Sequence, residues 1–362
     1  MSQSLKVGDK IIGKDCFVIA EIGVNHIISK KEMADIGLKS ALEVAFLMID
    51  TAKKAGVDAV KFQSFKAENL QLKNVNKPSY QQTSKSQDSY YEMIKSLETS
   101  KENQIKIADY CRENDIIFLS TPYDKESVDF LDEKIGVEAF KLASIELNNH
   151  LFTKYVASKE KPMFMSTGLS SMKDVESAVK VARENHYVDR IVLLQCTSDY
   201  PAKPKEINLN VLKTYQKKFP DIVLGFSDHS PTDTASIGAV ALGAKVLEKH
   251  FTLNKEYTGP DHAASLEPQE LTSWVSKVRE IEKAMGSYQK NLSSSEKENI
   301  SMRKYLVIKP LEIGYVITEE SLTAMRTGKG ILPTQKNLKN IIGRKLKKEV
   351  KELEIFDWDM VS

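Results

Sequence analysis

The sequence predicts an α/β protein: a closed (β/α)8 barrel of the TIM type, followed by a small C-terminal domain. Three observations carry this expectation. Eight short apolar, β-branched runs alternate with segments of helical period, which implies a parallel sheet with right-handed crossovers. Polar and ionisable residues recur where those runs end, the place where such a barrel builds its active site. No Gly-x-Gly-x-x-Gly follows the first run, which counts against an open dinucleotide-binding sheet.

The expected strands, in order, are FVIAEIG (17–23), DAVKFQ (58–63), IIFLSTP (116–122), AFKLAS (139–144), PMFMSTG (162–168), IVLLQCT (191–197), VLGFSDH (223–229) and KVLEKHF (245–251). Helical segments between them are expected over 43–56, 101–114, 125–133, 171–185, 208–219 and 232–244, with a last helix in 271–287. Ser170-Ser171 and Asn208-Leu209-Asn210 are candidate N-caps, while Gly56 and Gly243 stand at candidate C-termini. Two regions break the rhythm. Residues 65–100 form a long polar insertion of the kind that often serves as a lid. Residues 286–302 are polar and serine-rich and read as a linker. The barrel domain is thus expected over 1–285, with 1–14 as an N-terminal cap, and a small domain over 303–362 that would gain from docking on something larger.

Bulk properties exclude several classes. Lysine plus arginine number 52 against 50 acidic residues, a net charge of +2, so neither nucleic acid nor an anionic membrane is expected as a partner. The apolar runs fall short of the roughly 20 residues a membrane span needs, and the opening MSQSLKVGDK lacks the features of a signal peptide. Cys16, Cys111 and Cys196 have neither metal-type nor redox-type spacing and read as buried thiols. These features fit a soluble cytoplasmic enzyme.

The first strand poses the chemical question, because Glu21 lies inside an otherwise apolar run. A buried carboxylate costs several kcal/mol unless it is paired, roughly the size expected for an isolated charge. Every other strand ends on polar groups too: Lys61 and Gln63; Ser120 and Thr121; Lys141 and Ser144; Ser166 and Thr167; Gln195, Thr197 and Ser198; Ser227, Asp228 and His229; Glu248, Lys249 and His250. Packing alone does not explain eight polar strand ends, so Glu21 is placed at the rim of a shared pocket. Period two puts Lys61 with Gln63, Ser227 with His229, and Glu248 with His250 on common faces. His229 and His250 sit one βα unit apart and suit one divalent ion with positions left open for water and substrate. A lone histidine would be read as a core residue; two at matching strand ends are not. Lys61, Lys141 and the Ser166-Thr167-Gly168 turn suggest an anion pocket. Lys141 could instead snorkel outward or form a Schiff base, although an imine lysine would duplicate the metal as electrophile. The loop YTGPDHAASLEP (257–268) is placed either to bind a polyol or to make a plain turn.

The motifs AEIGVNH, DAVKFQ, STPYD, FKLAS, STGLSS, LQCTSDYPA, GFSDHS, EKHFT and GPDHAASLEP, in order over residues 20–268, resemble those of the sialic acid (N-acetylneuraminate, nonulosonic acid) synthase family. MRTGKGILP and IIGRKL resemble its C-terminal antifreeze-like, or SAF, domain. The resemblance implies a phosphoenolpyruvate-dependent, carbon–carbon bond-forming transferase of carbohydrate biosynthesis. It would condense phosphoenolpyruvate with free N-acetylmannosamine and water, releasing phosphate. Glu21 matches the catalytic glutamate, acting as base or as electrostatic stabiliser. His229 and His250 match the ligands of a catalytic metal, Mn²⁺ first, with Mg²⁺ or Co²⁺ as alternatives. Lys61, Lys141, Ser166, Ser198 and Ser227 match phosphoenolpyruvate contacts. Gln63, Tyr200 and Asp261 match the sugar side, with Glu146 a weaker candidate. Arg326 matches an arginine that the small domain places over the partner's active site in a domain-swapped homodimer. Two departures stand out: the 27–44 segment is longer than usual and lacks an early glycine, and Ser198 replaces a frequent asparagine. The alternatives are a synthase for N,N'-diacetyllegionaminate, a synthase using N-acetylmannosamine 6-phosphate, and, remotely, a non-catalytic carbohydrate- or ice-binding protein.

Overall fold

The computed structural model describes residues 4–77, 89–184 and 190–362. The chain divides into two compact units, Met1–Gly286 and Ser287–Ser362. The expected insertion at 65–100 and the helix expected over 171–185 extend in part into residues outside those described.

The first unit opens with an antiparallel hairpin, β1 (Leu5–Val7) and β2 (Lys10–Ile12). Eight parallel strands follow: β3 (Phe17–Gly23), β4 (Ala59–Ser64), β5 (Ile117–Pro122), β6 (Phe140–Leu142), β7 (Met163–Ser166), β8 (Ile191–Cys196), β9 (Val223–Asp228) and β10 (Val246–His250). They pair in the order β5-β4-β3-β10-β9-β8-β7-β6, and β5 lies beside β6, which closes the ring. The (β/α)8 barrel expected from the sequence is therefore the fold.

Two cores with different addresses hold the barrel. Val18, Ala20 and Ile22 of β3 face outward and pack with the helices, among them Ala41–Ala55 and Pro268–Met285. Phe17 and Ile19 face inward with Ala59, Leu119, Phe164, Val192, Leu194, Val223 and Val246. Leu5, Val7 and Ile12 of the hairpin join that inner cluster, so the N-terminal cap plugs the amino end of the barrel. Gly225 belongs to the same interior: a Cβ there would overlap Leu194 and come within 2.6 Å of the Val246 carbonyl oxygen.

Local chemistry explains most helix boundaries. Ser171 starts the Met172–Arg183 helix with a capping box, and Gly56 ends Ala41–Ala55 in the left-handed conformation. At Asn210 no side-chain cap bond forms, a correction to the expected cap. Among the helices that escape sequence reading are His150–Ala157, which is short, and Lys30–Asp35, which buries no residue. The described parts of the insertion expected at 65–100 are not uniformly polar. They contain the helices Ala67–Leu70 and Tyr90–Ser96, and their Phe65, Met93 and Leu97 make an apolar cluster with Val24.

The second unit has its own core of Leu306, Ile308, Ile317, Leu322, Ile341, Leu346, Val350 and Phe356. Its sheet runs β12 (Leu322–Met325), β11 (Tyr305–Ile308), β13 (Glu354–Ile355). The serine-rich segment before it forms a short helix, Ser294–Glu298, capped by Ser293. Among the described residues no helix is long and apolar enough to cross a membrane.

Candidate active site

The inward face of each barrel strand changes character along its length. On β3 the inward series is Phe17, Ile19, Glu21; on β4 it is Ala59, Lys61, Gln63; on β10 it is Val246, Glu248, His250. The apolar members fill the interior and the polar ones line a cavity of about 430 Å³ at the carboxyl end. Thr121, Lys141, Ser166, Cys196, Ser227 and His229 complete this layer. Glu21 is therefore buried because its strand's inward face is buried, and it is ionisable because that height in the barrel is the floor of the cavity.

Two ion pairs organise the floor. Lys61 Nζ lies 2.6 Å from Glu21 Oε2 and donates to Thr121 Oγ1 at 3.0 Å. Lys141 Nζ donates to both oxygens of Glu248, at 2.7 and 2.9 Å, and Ser227 Oγ donates to the same carboxylate at 3.0 Å. Lys61 also stands 3.8 Å from Glu248. Burial pushes Glu21 up to about 7 against the pull of Lys61, with Glu248 adding to the rise. At Glu248 burial is outweighed by Lys141 and Lys61, which hold its carboxyl well below the usual range. Burial is outweighed at Lys61 as well, where Glu21 and Glu248 raise the ammonium's pKa. The floor thus holds two lysines, one firmly ionised carboxylate and one carboxyl poised near neutrality.

The two histidines meet above this floor with ring centroids 5.5 Å apart. His229 Nδ1 donates to the Thr197 carbonyl oxygen at 2.7 Å, which leaves Nε2 as the lone-pair nitrogen, 3.4 Å from Ser227 Oγ. His250 Nδ1 is buried without a hydrogen-bond partner, and the Asp261 carboxylate is 3.9 Å from it. Burial, with His229 and Lys61 nearby, keeps the His250 imidazole well below its ordinary pKa and so neutral. A carbonyl-oriented imidazole facing an orphaned one suits a divalent cation. Among the described residues no set of three His, Cys, Asp or Glu side chains converges, so water or substrate would complete the coordination.

Hydroxyls gather on the Lys141 side. Ser166 Oγ is buried without a partner, Ser198 lines the wall, and the Gly168 N–H donates to Ser144 Oγ at 3.0 Å. A Cβ on Gly168 would overlap Ser198 Oγ and lie 2.8 Å from Ser144 Oγ, so the glycine lets the two hydroxyls approach each other. On the opposite side Tyr200 packs over His229 at 4.2 Å and edge-on to His250 at 5.5 Å. Gln63 donates to Glu21 at 3.3 Å. Burial raises the Asp261 carboxyl to about 6, with His229 and Lys61 opposing.

The structure thus brings together Glu21, Lys61, Gln63, Lys141, Ser166, Ser198, Tyr200, Ser227, His229, His250 and Asp261 around one cavity. Arg326 is exposed just after β12 in the second unit. Glu146, the weaker sugar-side candidate, is not among the lining side chains and instead accepts from Asn149 at 2.8 Å.

Several polar strand-end residues brace the barrel instead. Asn25 donates to Phe251 O and Ser265 Oγ, and His26 bonds Thr99 at 3.0 Å. Thr167 donates to the Leu194 carbonyl, Gln195 to that of Ile207, and Asp228 pairs with Lys249 at 3.0 Å. Thr167, Gln195 and Asp228 stand out of phase with the inward series of their strands, and Asn25 and His26 lie beyond the end of β3. Glu248, Ser144 and Cys196 are among the wall residues that received no role from the sequence. Glu248 shares a period-two face with His250, and that was the available signal. The long 27–44 segment has a definite contact, since Glu32 Oε1 accepts from Thr258 N at 2.7 Å and steadies the loop that carries Asp261.

The fold and this constellation define a (β/α)8 barrel with a buried, ionisable cavity at the carboxyl ends of its strands. Comparison with known proteins places the chain more narrowly. Residues 48–290 match the NeuB family, and the chain belongs to that family. It is 38% identical over 346 residues to the N,N'-diacetyllegionaminic acid synthase of Campylobacter jejuni, covering 94% of this chain and 99% of that protein. It is 37% identical over 347 residues to human N-acetylneuraminate-9-phosphate synthase, covering 93% and 90%. Among solved structures, the N-acetylneuraminic acid (sialic acid) synthetase of Leptospira borgpetersenii superposes with a TM-score of 0.70 at 29% identity, over 83% of this chain and 96% of that one.

Proposed function

We propose that this protein condenses phosphoenolpyruvate with an N-acetylmannosamine-type aldehyde and water, giving a nonulosonic acid and phosphate. Free N-acetylmannosamine is the acceptor expected from the sequence. The observation that carries the reading is the juxtaposition, in one cavity, of two buried lysines, an orphaned serine hydroxyl and two adjacent imidazoles. Family membership and the synthase relatives support it.

Lys61 and Lys141, with the hydroxyls of Ser166, Ser198 and Ser227, would hold the carboxylate and phosphate of phosphoenolpyruvate. Glu21 and Glu248 raise the pKa of the Lys61 ammonium, whereas at Lys141 burial lowers it against the opposing pull of Glu248. A divalent ion on His229 and His250, Mn²⁺ by expectation, would supply Lewis-acid polarisation of the acceptor's carbonyl. Tyr200, Gln63 and Asp261 would orient the sugar so that its aldehyde carbon faces C3 of phosphoenolpyruvate. The C2=C3 electron pair then forms the new carbon–carbon bond while the aldehyde's C=O π pair moves onto its oxygen, which takes up a proton to become a hydroxyl, and C2 becomes cationic. Glu21 offers negative charge beside that centre and takes the proton of the water that adds to it. The tetrahedral C2 expels phosphate by breaking its bond to the bridging oxygen. Arg326, supplied by a partner subunit, would hold the sugar's acyl group, a role that rests on the motif match.

Phosphate release from phosphoenolpyruvate, with Mn²⁺ and with EDTA, tests the reading. Release that needs an N-acetylated mannose-type acceptor and disappears with EDTA is expected. No release with any such acceptor would remove the proposed reaction.

A further inference from the structure

His229 and His250 stand side by side on neighbouring strands, and a buried ion pair lies directly beneath them. β9 and β10 run parallel with Glu248 opposite Ser227 and Lys249 opposite Asp228. Continued by one residue, that register sets His250 beside His229, with their ring centroids 5.5 Å apart. Asp228 and Lys249 form the last pair of the ladder. They are out of phase with the histidines and do not line the cavity.

Both side chains are at most 1% exposed. Lys249 Nζ lies 3.0 Å from Asp228 Oδ2 and donates to the carbonyl oxygens of Ser230 at 2.7 Å and Thr232 at 3.1 Å. Three partners use all three donors of an ammonium group. Asp228 also accepts from Ser230 N at 2.8 Å and from the hydroxyl of Ser236, in the Thr234–Ala241 helix. The pair therefore ties β10 to β9, to the chain leaving His229 and to the following helix. The two rings depend on this support unequally. His229 is aimed by its own bond to the Thr197 carbonyl. His250 Nδ1 has no hydrogen-bond partner, so the placement of that ring leans on the backbone at Lys249.

We infer that Asp228 and Lys249 are positioning residues for the metal: their ion pair sets the spacing of His229 and His250 in advance, so that a divalent ion binds without first ordering its ligands. Neither side chain touches ion or substrate. The inference rests on the metal assignment in the proposed function and goes beyond it. Packing alone would not require charges here, because an apolar pair of similar volume avoids the desolvation of two ions.

Mn²⁺ binding to the full-length protein by isothermal titration calorimetry, without substrates, tests this apart from activity. Asp228→Asn/Lys249→Met removes both charges at nearly constant volume. It is expected to raise the Kd for Mn²⁺ about tenfold or more, the low end for a group that holds a metal ligand in place. Thermal unfolding of the metal-free double variant should stay cooperative and close to that of the wild type. A folded double variant with an unchanged Kd would overturn the inference while leaving the metal assignment intact. If the double variant does not fold, Ser236→Ala decides, since it takes one donor from Asp228 without leaving a charge unpaired. A rise of about threefold in Kd is then expected, within the worth of one hydrogen bond, and an unchanged Kd overturns the inference. Wild-type protein that binds no Mn²⁺, or a His250→Ala protein that binds it as tightly as the wild type, would overturn the metal assignment and the inference together.

Discussion

Glu21 is the residue whose position says most about the site. Its carboxyl sits against Lys61 at 2.6 Å, yet burial raises it to about 7. If its ionised form accepts the proton of water, activity requires the deprotonated carboxylate. The sign follows directly: kcat/KM falls as pH drops through about 7, and bound metal, a nearby positive charge, moves that limb to lower pH. A profile flat through this region would deny Glu21 the role of base. Glu21→Gln keeps the shape and loses the charge, so a loss of at least about a hundredfold in kcat is expected, the usual size of a general-base contribution. His250→Ala should abolish metal-dependent turnover while thermal unfolding stays cooperative; wild-type rates would refute the metal assignment. Lys141→Met is a different experiment, because it leaves Glu248 buried with Lys61 3.8 Å away. A loss of about 3 kcal/mol or more in denaturant unfolding is expected, as for a broken buried pair, together with a raised KM for phosphoenolpyruvate.

At the scale of the element, each strand does two jobs on one face. Its first inward residues fill the barrel and its last inward residues line the cavity. Glycines mark where that face runs out of room. Gly168→Ala pushes a methyl into Ser198 and Ser144; the KM for phosphoenolpyruvate should rise about tenfold with stability little changed, the size of one displaced hydrogen bond to a charged group. Gly225→Ala meets the Val246 backbone, which cannot rotate away. Its expected signature is the opposite: a loss of about 1–3 kcal/mol in unfolding. An unchanged KM for the first variant would mean that phosphoenolpyruvate does not lie against this turn.

At the scale of the whole molecule the question is whether the second unit takes part. Arg326→Ala should raise the KM for sugar much more than that for phosphoenolpyruvate. An equal effect on both would mean that the arginine does not contact the sugar. Mixing Glu21→Gln with Arg326→Ala protein provides a direct check on a shared site. Heterodimers in which one subunit lends its arginine to the other's intact barrel should regain activity, and a mixture no more active than its components would exclude the exchange.

The barrel was legible in the sequence because its periods are strong. Eight β-branched runs with helical segments between them leave little choice of topology, and the turn residues Gly56 and Ser171 close the argument locally. Much of the site was legible as well, since period two ties Lys61 to Gln63, Ser227 to His229 and Glu248 to His250. What sequence could not separate were neighbours one residue out of phase, Thr167, Gln195 and Asp228, and residues just past a strand's end, Asn25 and His26: they look as catalytic as the lining residues, yet they brace loops and helices. Alternation says which residues share a face, but only the closed ring says which face is inside and at what height. The same holds for an apolar wall of the cavity. Phe65, Leu70 and Ile94 stand in a stretch that reads as a polar insertion, and only folding against Val24 and Leu97 turns it toward the cavity. Sequence determined the strands, their order and the chemistry each carries; tertiary structure decided which groups meet, because pairing across a barrel depends on register and closure that no local pattern encodes.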